Sequence, residues 1–289
     1  MELDGERAVA VRAAISGTVR TIEGGTIVLS AGALHTPAIL MRSGIGNADH
    51  LRALGIKPVV DLPAVGENLC DHPLVQVRLH LEEHGRSSPA RVYAYDCGFR
   101  TASRVEGARD DLSMFAANYG ESVAEGALGV ALMQPQSRGR MRLRSADPRV
   151  QPWIEFRMLS EERDRAAMRC GLDLALRLAR QRGLSSVCAR ASAPGLTDDI
   201  LEDDRAFDSW LRARCEAFFH AAGTCRMGAT TDARTVVDPR CRVLGAQDLL
   251  VCDASVIPDP VRAPTHLTSV MLAEHLAARL AAAGSVRSG

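Results

Sequence analysis

Two histidines in the last third of the chain stand in surroundings suited to moving a proton. His220 lies within FFHAAGTCRMG, Phe218 to Gly228, and His266 within DASVIPDPVRAPTHLTSVMLAEH, Asp253 to His275. Taking a hydride from an alcohol carbon needs a base for the hydroxyl proton and an acceptor for the hydride. Imidazole is the side chain whose ordinary pKa best suits the first task. His220 follows an apolar stretch read as the end of a helix and precedes Gly223, a small residue that lets backbone or a ligand come close. A packed core histidine answers the same description. His266 stands just before the first turn of the last helix, where unpaired N–H groups and the helix dipole favour negative charge. A histidine that merely precedes a helix, with Thr265 or Thr268 as an ordinary cap, is the alternative.

Other candidates carry less. Asp253 follows the apolar run Leu249 to Val251 and either ends a buried strand facing polar ligand atoms or is a plain strand-end carboxylate. Cys225 has no neighbour that would lower a thiol pKa and reads as structural. Gly44-Ile45-Gly46 begins like GxGxxG, but Asp49 holds the third glycine position and no strand ends directly before it, so it reads as a turn. There is no GxSxG elbow to support a serine hydrolase.

The elements that would position these residues follow from periodicity. Ala8 to Ile15, Thr18 to Ile22 and Thr26 to Ser30 read as short strands of a meander, followed by a helix capped by Thr36 with Pro37 at its first position. Asp49 to Leu54 reads as a second short helix and Pro58 to Val65 as extended chain. From Leu74 to Gln134 the pattern mostly alternates, with a glycine-rich loop expected over 119–129, and marks a second lobe. Met141 and Leu143 alternate with Arg140, Arg142 and Arg144, as in a strand with one solvated basic face. Ser160 reads as the N-cap of a helix burying Met168, Leu172 and Ala175, and Asp204 to Phe218 as a helix burying Phe207, Trp210 and Leu211. A closing helix, Leu267 to Ala283, gathers Val270, Ala273, Leu276, Ala277 and Leu280 on one face and stops at Gly284.

Composition narrows the function classes. Lys plus Arg and Asp plus Glu both number 35, so no global field draws nucleic acid or an anionic membrane, and a small or neutral ligand is favoured. The eight cysteines form no CxxC pair, which suits neither a zinc site nor a disulfide scaffold, and no metal is expected. No apolar run is long enough to span a bilayer, and the start MELDGERAVAV has no leader pattern, so a cytoplasmic chain is expected.

Four strings in order, SAGALHTPAILMRSGIG (Ser30 to Gly46), GENLCDHP (Gly66 to Pro73), SRGRMRLRSADP (Ser137 to Pro148) and HAAGTCRMG (His220 to Gly228), resemble the glucose-methanol-choline (GMC) family of FAD-dependent oxidoreductases. The resemblance implies a mixed α/β fold: an incomplete Rossmann-type FAD-binding domain, from residues 1–73 and 223–289, and a substrate domain with an antiparallel sheet and helices over 74–222. It implies His220 as general base and His266 in the partner position, which the family fills with His or Asn. It also implies Ala31 and Gly32 near the adenosine side of FAD, Asp253 and Ala254 near the pyrophosphate and ribityl chain, and Leu267 and Thr268 near the isoalloxazine. The family's first segment, with its GxGxxG, is missing from this sequence. The expectation is a C-terminal portion that oxidises a small alcohol once another polypeptide or an upstream segment supplies the cofactor grip. The alternative is a non-catalytic remnant or interaction module. Without that segment, an apolar sheet edge and helix faces should be exposed. The interval between His72 and Ser137 is short for the family, and Ala221 replaces the proline that commonly follows the histidine.

Overall fold

The computed structural model describes residues 1–86, 97–118 and 124–287. The chain forms two compact units, each assembled from separated stretches: Met1–Cys70, Arg138–Arg157 and His220–Gly289 in the first, Asp71–Ser137 and Met158–Phe219 in the second. The boundaries read from sequence, after 73 and after 222, lie close to two of these crossings. They miss the return at 138–157. Met141 and Leu143 explain it, because both are buried in the core of the first unit, while backbone hydrogen bonds tie Met141 to Gly66 and Gly139 to Leu69.

In the first unit, β1 (Glu2–Asp4), β2 (Arg7–Ile15) and β3 (Thr18–Glu23) make an antiparallel meander whose third member is Glu2–Asp4 rather than the expected Thr26 to Ser30. β4 (Ile27–Leu29) pairs in parallel with β15 (Leu249–Val251), each strand buried where it faces the core. α1 (Gly32–Arg42) follows β4, and α2 (Ala48–Ala53) is capped by the Asn47 side chain. β5 (Ile45–Gly46) pairs in parallel with β6 (Val60–Asp61), so the glycine pair read as a turn also contributes a two-residue strand. β11 (Arg140–Arg142) and β12 (Trp153–Glu155) form a hairpin whose arginines meet carboxylates, Arg140 with Glu155 at 2.9 Å and Arg142 with Glu67 at 2.5 Å. That basic face is solvated and ion-paired.

Two helix boundaries in this unit differ from the sequence reading, for local reasons. α1 begins four residues before Thr36, at Gly32, and Pro37 lies inside it. Thr36 does not cap the helix; its hydroxyl accepts from the Ala31 N–H and donates to Asp253. α7 (Thr265–Arg287) runs through Gly284. Of its expected apolar face only Leu276 is buried, whereas Leu267, Val270, Met271 and Leu280 are exposed. Gly284 does not end the helix because a single glycine costs only about 1 kcal/mol in a helix interior.

The second unit is an antiparallel sheet in the order β13-β7-β10-β9-β8, with β14 also on β7: β7 (Pro73–Leu81), β8 (Cys97–Thr101), β9 (Leu112–Asn118), β10 (Glu125–Leu132), β13 (Cys188–Ser192) and β14 (Glu216–Ala217). Residues 119–123 of the expected glycine-rich loop lie outside the described residues. Its remainder is part of β10, a central strand buried from Gly126 to Leu132. α3 (Glu162–Ala179) lays Met168, Leu172, Ala175 and Ala179 on this sheet. Glu161 rather than Ser160 holds its cap position, because the Ser137 hydroxyl accepts from the Glu161 N–H and donates to Asp164. α4 (Arg182–Ser185) and α5 (Asp198–Glu202) are single turns.

α6 (Asp204–Arg214) buries Phe207, Trp210 and Leu211 as read, its N-terminus capped by Asp203. It ends at Arg214 rather than Phe218. Glu216 and Ala217 leave it to pair with Leu74 and Pro73, because the edge of β7 offers those residues ladder hydrogen bonds.

Candidate active site

The segment after His220 is held by backbone hydrogen bonds on two sides. On one side Ala222 and Cys70 exchange bonds of 2.9 and 3.0 Å, and the Gly66 N–H donates to the Thr224 carbonyl. On the other, the N–H groups of Gly223, Cys225 and Met227 donate to the carbonyls of Ala254, Ser255 and Val256, a 3-10 turn that follows β15. Gly223 has φ +92°, and a Cβ there would lie 2.5 Å from the Asn68 carbonyl oxygen, so only glycine lets the strip pass this closely.

His220 therefore follows a two-residue strand rather than a helix end. The intervening Phe219 has φ +61° and is 92% exposed. His220 itself is half-buried, and burial holds its pKa below the ordinary value of 6.5. The neutral imidazole, with a lone pair to accept a proton, is the favoured form.

Asp253 is the organising carboxylate. Its Oδ2 accepts from the Gly32 N–H at 2.9 Å and from the Thr36 hydroxyl at 2.5 Å, and its Oδ1 accepts from the Ser255 N–H at 2.7 Å. Ala31, Gly32, Asp253 and Ala254 are thereby brought together. Gly32 has φ +81° with no atom within 4 Å of where a Cβ would sit, so the start of α1 lies under open space.

Pro37 adds a second tie. It has no N–H to return to the Ala33 carbonyl one turn earlier, and the Thr224 hydroxyl donates to that carbonyl at 2.5 Å. The interior proline thus frees an acceptor that docks the strip carrying His220. Thr224→Val, which keeps shape and removes the donor, should destabilise the first unit by about 1–3 kcal/mol in urea unfolding. A loss within a few tenths would show that the carbonyl finds another partner.

Asn68, in GENLCDHP, carries the network towards the last helix. Its amide donates to the carbonyls of Gly223 at 3.3 Å and Pro258 at 3.0 Å, and Arg138 donates to its oxygen at 3.2 Å while pairing with Asp259 at 2.9 Å. His220 lies just upstream of Gly223, and His266 just downstream of Pro258 and Asp259, exposed on the first turn of α7 with Leu267. Thr268 is half-buried on the same turn.

Sequence reasoning did not single out Asn68, Thr224 or Arg138, and it read Thr36 as a helix cap rather than as a partner of Asp253. The available signals were an asparagine between turn residues, held here at φ +60°, and a proline inside a helical pattern. Cys225 is fully buried and burial pushes its thiol up, in keeping with a structural role.

Comparison with known proteins decides the family. The family model for the N-terminal part of GMC oxidoreductases matches residues 1–74, and that for the C-terminal part matches residues 135–273. The chain belongs to the GMC oxidoreductase family. It is 37% identical over 267 residues to 5-(hydroxymethyl)furfural oxidase of Methylovorus sp., covering 87% of this chain and 50% of that protein. It is 32% identical to oxygen-dependent choline dehydrogenase of Brucella canis, covering 94% of this chain and 54% of the relative. Pyridoxine 4-oxidase from Mesorbium loti superposes with a TM-score of 0.86 at 26% identity, over 96% of this chain and 55% of that one. The chain thus spans about half the length of the relatives it matches.

FAD is the family's cofactor, and two places in the first unit fit it. The open space over Gly32 admits a ligand against the backbone. The first turn of α7 offers N–H groups with no partner inside the helix beside Leu267, which is 77% exposed. A flat ring with an electron-rich edge matches that combination of donor and apolar contact. Among the described residues, no helix is long and apolar enough to cross a membrane.

Proposed function

We propose that this chain is the C-terminal portion of an alcohol oxidoreductase, acting on a small CH–OH substrate, with His220 as the base and His266 as its partner. The observation that carries the reading is the setting of His220: a half-buried imidazole whose pKa burial lowers, at the head of a strip fixed on both sides, in a chain of this family. When bound, FAD supplies the acceptor for the hydride. His220 would take the hydroxyl proton at a ring nitrogen, and His266 would hold the substrate oxygen. Ala31, Gly32, Asp253 and Ala254 would shape the backbone against the nucleotide side of the cofactor, and Leu267 and Thr268 would lie at the ring.

The second part of the proposal is that the flavin domain is completed by residues outside this sequence, preceding it in a longer polypeptide or carried on a separate chain. Among the described residues β4 and β15 pair with each other in a two-stranded parallel sheet, and the apolar side chains at 267, 270, 271 and 280 of α7 face solvent. A Rossmann-type sheet wants more strands and a covered helix face. Purified alone, the chain should show little flavin absorbance. Mixed or co-expressed with a GxGxxG-bearing N-terminal half, it should retain FAD in stoichiometric amount and show alcohol-dependent bleaching. Stoichiometric FAD in the lone chain would overturn completion from outside. An assembled flavoprotein inert towards every alcohol offered would favour a remnant.

A further inference from the structure

The second unit holds a cationic concavity remote in sequence from the histidine strip. It has a volume of about 340 Å³ and is lined by Arg104 on the loop after β8, by Cys170, Asp173, Leu176 and Arg177 on α3, by Arg180 at the C-terminal cap of α3, and by Leu201 on α5. The contrast along α3 gives it meaning. Arg163 donates to the Glu106 carbonyl, Arg165 pairs with Asp208 at 2.6 Å, and Arg169 pairs with Asp204 at 3.0 Å while stacking 3.8 Å from the centre of the Phe207 ring. The guanidinium groups of Arg177, Arg180 and Arg104 meet no carboxylate within ion-pair distance among the described residues. All three residues line one hollow, with Asp173 as its single acid.

Like charges gathered around a concavity repel one another, and a bound anion turns that repulsion into attraction. Guanidinium forks match the oxygens of a phosphate or carboxylate in bidentate geometry. Leu176 and Leu201 add apolar wall, so the hollow suits an anion with a short hydrocarbon part rather than a bare ion. We infer that this hollow binds a small organic dianion, a phosphate monoester or a dicarboxylate, through Arg177, Arg180 and Arg104. The site lies within the second unit, and its test is independent of the role given to His220.

The test uses the chain itself with phenyl phosphate, succinate and inorganic phosphate as probes, at constant ionic strength. Isothermal titration and line broadening of the 31P signal should show saturable binding of phenyl phosphate, tighter than inorganic phosphate because of the apolar wall. Arg177→Gln/Arg180→Gln should weaken it by about 10-fold or more, the loss of one or two charge-assisted bonds. Both side chains are exposed, so the fold should survive, which circular dichroism would check. Arg144→Gln, an exposed arginine of the first unit, should leave binding unchanged. Succinate competing with phenyl phosphate would assign the site to dianions at large, and failure to compete would assign it to phosphate monoesters. No saturable binding of any probe, or equal binding by the double variant, overturns the inference.

Discussion

His220→Ala, in the chain assembled with a flavin-carrying N-terminal half, should lower the rate of alcohol-dependent flavin reduction by ~100-fold or more, the usual range for loss of a general base. The strip that carries His220 is fixed by main-chain bonds, so the substitution should leave assembly and flavin content intact. That separates loss of the base from loss of the fold. Burial disfavours the charged imidazole and lowers its pKa, and the neutral form is the competent base. The rate should therefore rise with pH through a value below 6.5 and be level at neutrality. Unchanged turnover in the variant, or an acid limb above 6.5, would remove His220 from the role.

Asp253→Ala should be the most damaging single change to stability. The buried carboxylate accepts from Gly32, Thr36 and Ser255, and its removal strands the donors of Thr36 and Ser255, both fully buried. Each charge-assisted bond is worth about 1.5–3 kcal/mol and an unsatisfied buried group costs about 1–3 kcal/mol, so a loss of roughly 4 kcal/mol is expected in urea unfolding. Asp253→Asn, which keeps one acceptor oxygen, should fall between that and the parent. Because the same carboxylate sets the start of α1 and the turn at Ala254, the alanine variant should also fail to hold FAD after assembly. A loss below about 1 kcal/mol would mean that the donors of Thr36 and Ser255 are readily served by solvent.

Exposure along α7 links the stability of the chain to its completion. Buried apolar area contributes about 25 cal/mol per Å², and Leu267, Val270, Met271 and Leu280, which stand exposed on α7, gain little of it. Of the apolar face read from sequence, Val270, Ala273, Ala277 and Leu280 are exposed and Leu276 alone is buried.

Much was legible before any coordinates. β-prone runs set off by Ser16-Gly17 and Gly24-Gly25 identified two of the meander's three strands, and a mostly alternating pattern marked the sheet lobe, since side chains in a strand face opposite sides regardless of context. Helical spacing identified α3 and the buried face of α6. The ordered motifs pointed to the family. Helix ends were less legible. At α1 a glycine with positive φ and a carboxylate 221 residues away overrode the Thr-Pro start signal, and at α6 the free edge of β7 claimed Glu216 and Ala217.

What the residues alone determined is the chemistry available: an imidazole for a proton, glycine where chain must approach chain, and a balanced charge that favours small ligands. Tertiary structure decided which groups meet. Asn68 reaches Gly223 and Pro258, Thr224 answers the carbonyl freed by Pro37, and Asp253 gathers the starts of two turns, all across more than a hundred residues of sequence. Local propensity acts over a few residues, whereas a buried donor or acceptor must be satisfied by whatever the fold brings beside it. That requirement, enforced at long range, ties segments far apart in sequence into the hydrogen-bond network around Asn68, Thr224 and Asp253.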